Sequence, residues 1–467
     1  MCKFKSQQQE QPSSYQMANA AKFHPRRDLF RFIRNTMLVA AMCPLRLTDY
    51  FPKYLYYLAI FLELLFEVFL YFVTIHIWIL YLLTLYLYYQ EGDLEFLVNC
   101  LIQAIIYFWT IAMKLYFRRM QPTKLKHLMD FINLKYVTCS ANGFTYVTMN
   151  ESLSMSNKWI KIYVYCCFIG TIFWLILPIA YGDHSLPLRC WYPFDYKEPL
   201  IYETMYFFQA IGQLQVAAAF SASSGFHMVL AILISGQYDI LYCSLKNVMA
   251  TAYINLGASR SELKKLSESQ VIADKEPSQY YCSVELQNNE ILNTTFTTTG
   301  TAENFYSAFR AAFKSCVQHH RYIIKALQKM EYFYNPIWFL KTGEVIFLMC
   351  LVAFVSVKST TANSSFMKIV SLGQYLLLVA WEMLIICYFG EIIYLNSQRC
   401  GEALLRSPWY LHLREMKMDF LLFLLNSQRT FKLTAGKIYV LNVDRFRGIM
   451  ATAFSFLTLL QKLDVRN

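Results

Sequence analysis

Charge is scarce in this sequence. Only 16% of its 467 residues are Asp, Glu, Lys or Arg, against 56% apolar. A soluble fold has no interior large enough to hide that much apolar surface, which excludes an ordinary globular protein. The net charge of +12 does not point to nucleic acid, because the basic residues sit in loops between apolar runs, where they set orientation. No cleavable leader is visible. The N-terminus, MCKFKSQQQEQPSSYQ, is polar and basic and lacks a short apolar core, so the first span is expected to direct insertion. Thirteen cysteines form no CxxC pair, and His319–His320 has no further ligand at usable spacing. Neither a metal site nor a cofactor is expected. Only Cys190 falls in an expected outside loop, which argues against a disulfide staple there. A glycine-rich phosphate loop, a nucleophile elbow and paired intramembrane carboxylates are all missing, which leaves no enzyme reading.

What is present is a series of long apolar runs. About 20 residues cross a bilayer, and seven spans are expected: Phe66–Tyr89, Leu94–Phe117, Ile160–Tyr181, Met205–Ser235, Ile337–Val357, Ile369–Leu395 and Phe446–Leu463. His24–Ala41 has apolar residues at helical spacing behind four arginines. It reads equally as a helix lying on an anionic leaflet or as one docked on the bundle. Residues 1–53 are expected to be a cytoplasmic tail with this helix, 54–235 the first four spans, and 236–330 a long cytoplasmic loop with helical extensions. Residues 331–397 hold the fifth and sixth spans, 398–437 a cytoplasmic anchor region, and 438–467 the last helix.

Lysine and arginine crowd into the N-terminus and into loops 118–158, 236–329 and 399–437. The positive-inside bias makes these cytoplasmic. Seven spans then put the N-terminus inside and the C-terminus outside, opposite to a G-protein-coupled receptor. In keeping with this, no Asp/Glu-Arg-Tyr triplet closes the third span, and the last span holds no Asn-Pro-x-x-Tyr.

The last helix is the most informative piece. Gly448, Ala451, Thr452, Ala453 and Ser455 lie among larger residues, and small residues let helices approach closely in lipid. Around it stand LFLLNSQRTFK (Leu422–Lys432), LTAGK (Leu433–Lys437), NVDRF (Asn442–Phe446) and AFSFLTLL (Ala453–Leu460), with WYPFD (Trp191–Asp195) before the fourth span. Together these resemble the insect odorant receptors, from Phe23 onward. The gustatory pattern of the last helix is broken here, since LTLL and Gln461–Lys462 follow Ser455–Phe456.

The resemblance implies an all-α subunit of a tetramer, each chain giving its last helix to a central cation pore. It also implies a small volatile ligand, membrane lipid around the bundle, and assembly with the odorant co-receptor as a heterotetramer, or as a homotetramer. Leu459 aligns with the pore constriction, with Thr458 and Gln461 near it. The family's pocket matches at Tyr107–Phe108, at Gly170 and Trp174, and one turn earlier at Ala104 and Cys167. Depth alone adds Phe208, Ile211 and Tyr375. Aromatic walls with few polar tips suit small volatile molecules. Burying roughly 250 Å² of odorant gains about 6 kcal/mol before association costs, so micromolar or weaker binding is expected. Asn363 is the one glycosylation candidate expected outside. A secondary transporter would show internal repeats and broken helices, neither of which is visible. An inverted seven-helix signalling receptor is the other alternative.

Overall fold

The computed structural model describes residues 28–45, 52–89, 94–141, 145–181, 185–196, 198–257, 284–286, 302–361, 366–405, 407 and 413–464. Helices dominate because backbone polar groups in lipid must bond within their own segment. In chain order they are α1 (Arg31–Val39), α2 (Tyr56–Tyr88), α3 (Leu94–Leu115), α4 (Pro122–Lys135), α5 (Asn150–Tyr181) and α6 (Pro199–Lys246). There follow α7 (Val248–Asn255), α8 (Ala302–Thr361), α9 (Phe366–Leu405), α10 (Leu413–Ser427) and α11 (Val443–Asp464). Two antiparallel strand pairs join loops: β1 (Thr145–Val147) with β2 (Val284–Leu286), and β3 (Thr434–Ala435) with β4 (Tyr439–Val440).

Among the described residues, six helices are long and apolar enough to cross a membrane: α2, α3, α5, α6, α8 and α9. The expected seventh, α11, has 22 residues and at about 33 Å is long enough. It falls short in apolarity. Asp444, Arg445 and Arg447 at one end and Lys462 at the other bound a stretch interrupted by Thr452, Ser455, Thr458 and Gln461.

The fourth span is the axis of the chain. Expected over Met205–Ser235, it belongs to a 48-residue helix, α6, that packs on α1, α2, α3, α5, α8 and α9. Its buried run of Ala217, Ala218, Ala219, Ser221, Ala222, Ser223 and Ser224 lets those neighbours come close. At Gly225, Ile33 of α1 and Ile160 of α5 occupy the space a side chain would need. Phe30, Ile33 and Met37 are buried, and Phe30 stands edge-on to Phe226 at 5.6 Å. That decides between the two readings of the N-terminal helix: α1 docks on the bundle.

The expected fifth span is likewise only part of α8, whose 60 residues reach about 90 Å. Tyr116 Oη, beside the arginines that close the second span, donates to the Phe333 carbonyl at 2.6 Å. Hence the half of α8 before Phe333 projects past the end of the bundle that carries Arg118 and Arg119. There it packs with α7 and the α10 face, through Phe305, Phe309, Phe313, Phe420 and Phe423. The apolar piece Met418–Leu425 therefore covers this second helical body and does not cross. Pro336 lies inside α8. The β3–β4 hairpin seats beside it: Gly436 N donates to the Asn335 carbonyl at 3.1 Å, and Asn335 Nδ2 to the Thr434 carbonyl at 2.6 Å.

Candidate ligand pocket and pore helix

Four of the expected pocket residues come together. Ala104 and Tyr107 of α3 are buried in one apolar cluster with Val73, Ile77 and Tyr81 of α2, and Phe208 and Ile211 of α6 pack against it. Tyr107 lies 6.3 Å from Tyr81, and Phe208 lies 6.2 Å from Phe69. Gly212 makes room for Tyr107, whose hydroxyl would stand 3.0 Å from a Cβ placed there. That hydroxyl is shielded from solvent and without a hydrogen-bond partner, a polar tip in an apolar wall.

The loop before α6 caps this cluster. Gln209 holds both the N–H and the carbonyl of Leu188, at 2.9 and 3.0 Å. Its amide also donates to Tyr192 Oη at 3.0 Å, and Trp191 N donates to Thr84 Oγ1 at 2.8 Å. Burial pushes the Cys190 thiol in this loop up to about 12.

Other expected residues lie elsewhere. Phe108 is 54% exposed and rests on Trp78, 6.0 Å away. Successive helix residues point about 100° apart, so Phe108 and Tyr107 do not share a wall within one chain. Cys167 and Tyr375 pack on the main core. Gln374 and Leu378 of α9 face Gly170. Trp174 is half-buried on α5. The expected pocket thus divides into an α2–α3–α6 set and an α5–α9 set, on different neighbours of α6.

α11 seats Ile449, Ala453 and Leu457 inward against α8 and α9. The opposite face, Gly448, Thr452, Ser455, Thr458 and Leu459, is exposed, Leu459 at 52%. Gln461 is on the same helix, with its side chain outside the described positions, and Asn363 lies outside the described residues altogether. The base of α11 is tied down. Asn442 Oδ1 accepts from Arg445 N at 2.8 Å, a side-chain N-cap. Glu391 of α9 accepts from Val443 N at 2.9 Å, and Tyr439 Oη donates to Thr342 of α8 at 2.5 Å.

The family model for the 7tm odorant receptors matches residues 93–454. The chain belongs to this odorant receptor family. It is 60% identical over 443 residues to odorant receptor 83a of Drosophila melanogaster, covering 94% of this chain and 96% of that one. Its fold is similar to that of the insect olfactory receptor OR5 from Machilis hrabei, with a TM-score of 0.67 at 13% identity, covering 93% of this chain and 98% of that one. The structure of OR5 in complex with eugenol matches with a TM-score of 0.65. This receptor is accordingly a multi-pass membrane protein.

One part of the receptor's interior corrects the sequence reading, which found no paired intramembrane carboxylates. Lys341 of α8 stands 2.6 Å from Glu344 and 2.9 Å from Glu382 of α9. Ser224 of α6 donates to the second carboxylate of the pair, Glu382. Lys341 is eight residues beyond Phe333, so roughly 12 Å into the span. The signal was available: charges inside expected spans default to functional sites. What the sequence hid was the partnership, since Glu344 and Glu382 belong to different helices. A second buried lysine, Lys114, is held by neutral acceptors: the Leu70 carbonyl at 3.3 Å, Thr74 Oγ1 at 3.2 Å and Gln215 Oε1.

Proposed function

We propose that this receptor is an odorant-gated, non-selective cation channel subunit. Four subunits surround an axis onto which each turns the exposed face of α11. The N-terminus lies in the cytoplasm and the C-terminus outside, in the plasma membrane of olfactory neuron dendrites, and the odorant co-receptor supplies the other subunits. The observation that carries this reading is the two-sidedness of α11. Ile449, Ala453 and Leu457 face α8 and α9, while Gly448, Thr452, Ser455 and Thr458 are left outward among Phe454, Phe456 and Leu459, and small and hydroxyl residues on such a face suit close approach of other copies and contact with water. Leu459, on that face, forms the ring that closes the pore, because a narrow leucine ring dewets and blocks ions without a charge. The ligand is a small volatile molecule held at the Tyr107 cluster or at the Gly170–Tyr375 seam, with Trp174 beside the latter. The eugenol bound by OR5 is a ligand of that kind.

Patch recording from cells expressing this chain with the co-receptor tests the reading. Discrete unitary cation currents on odorant addition are the expected result. Uptake of the volatile without unitary currents is the outcome of a transporter and overturns it.

A further inference from the structure

The buried ionic cluster is out of charge balance. Lys341 brings one positive charge and Glu344 and Glu382 two negative ones, with all three side chains no more than 5% exposed. Among the described residues no second cation pairs with either carboxylate. An unpaired negative charge at this depth is very unfavourable, a cost that one proton on the carboxylate pair would remove. Apart from its 2.6 Å ion pair with the Lys341 ammonium, neither Glu344 oxygen has a hydrogen-bond partner among the described residues, which leaves them bonding capacity to spare. The Lys341 ammonium also lies over the rings of Phe220, at 4.1 Å, and Trp109, at 5.3 Å. Carboxylates and aromatic faces together are the surroundings that hold an ammonium group.

This cluster adjoins the candidate pocket at two points. Cys167 and Tyr163 have Glu382 as a charged neighbour, and the Ser224 hydroxyl donates to Glu382. Tyr375 has Glu344 and Glu382 as its charged neighbours, and its hydroxyl oxygen is shielded from solvent without a partner.

We propose that this receptor recognises a basic nitrogen: its ligands include volatile alkylamines, whose amino group docks between Tyr375 and the Glu344–Glu382 pair. The proposal rests on the odorant-receptor reading and narrows it to a ligand class. The amine enters as the uncharged free base, the form that an apolar path admits. Its nitrogen lone pair takes the proton held by the cluster. A carboxyl O–H bond breaks, an N–H bond forms, and the site stays neutral overall with no other reactant. The resulting ammonium pairs with the second carboxylate, and Tyr375 Oη accepts one of its N–H groups. An alcohol of the same length gains one hydrogen bond and no ion pair. A carboxylic acid finds the one cation already shared by two carboxylates.

The test uses the full chain in lipid nanodiscs, with hexylamine and 1-hexanol as matched probes read by tryptophan fluorescence, and by current in cells with the co-receptor. Hexylamine is expected to show a midpoint about tenfold below that of hexanol, the difference between a charge-assisted and a neutral contact. Glu344→Gln and Glu382→Gln should each raise the hexylamine midpoint about tenfold more than the hexanol midpoint. Equal midpoints for the two probes overturn the proposal, and so do variants that shift both probes alike. Should a Gln variant fail to reach the membrane, the wild-type ratio and Tyr375→Phe, expected to weaken hexylamine selectively, decide instead. A chain that passes current with neutral odorants yet shows no amine preference retains the receptor reading and loses this one. A chain silent to every volatile loses both.

Discussion

Single side chains set both ends of the proposed mechanism. Trp174→Ala removes an aromatic surface from the α5 wall and should weaken odorant activation by about 1–3 kcal/mol. Dose–response curves for several unlike agonists, at matched surface expression, check this; unchanged curves return Trp174 to plain packing. At the other end, Leu459→Asp or Leu459→Ser should wet the closed ring, raise current without odorant and alter cation permeability ratios. Wild-type leak and selectivity in both variants would mean that Leu459 faces lipid or protein. At this scale the sequence was informative where one helix decides the matter. Ala104 and Tyr107, one turn apart, share a face. Phe108 points away because a helix turns about 100° per residue, which could have been read in advance. Pairing across helices was not legible, and so the Lys341 cluster emerged only when α8 and α9 were set side by side.

Elements explain how one end reaches the other. The hairpin between α10 and α11 turns at Gly436 and Lys437, with φ of 60° and 57°. A Cβ on Gly436 would come within 2.9 Å of the Phe339 ring, so a side chain at position 436 is opposed by both φ and the ring. Gly436→Val should lift the hairpin off α8, loosen Tyr439 from Thr342, and reduce surface expression together with maximal current. Normal levels of both would show that the hairpin tolerates a side chain. The spanning helices were legible, because long apolar runs leave the backbone no alternative in lipid, whereas α4, in a stretch read only as a basic loop, was not. Helix length was less legible. The expected fifth span began at Ile337, yet one helix runs from Ala302 through Pro336; the cost of the lost N–H and of the ring against the preceding turn is borne where the Asn335–hairpin contacts brace the site. The shortfall of α11 in apolarity comes from the small and hydroxyl residues on its exposed face, which stand among Phe454, Phe456 and Leu459.

For the whole molecule, glycosylation reads the orientation. Glycan on Asn363 alone is the expected pattern, and sugar on Asn150 or Asn293 of the membrane-inserted full chain would reverse the topology. The proposed tetramer also bears on energetics. Driving a pore from about 1% to about 99% open takes roughly 5.5 kcal/mol of differential binding, more than one micromolar odorant readily supplies. Either several subunits bind, or open probability stays low, and single-channel records at saturating odorant distinguish the two. The first span adds a further property. Tyr57 and Tyr86 are exposed near opposite ends of α2, about 44 Å apart along the helix. That matches the full depth of a bilayer, about 40–45 Å, and tyrosine rings settle at its two interfaces. The expected consequence is that α2 responds to bilayer thickness. In a thinner membrane it must tilt to keep both rings at their levels, and Leu70 and Thr74, which hold Lys114, tilt with it. The same odorant should then show different potency in short-chain and long-chain lipids, making bilayer thickness a second input to the receptor.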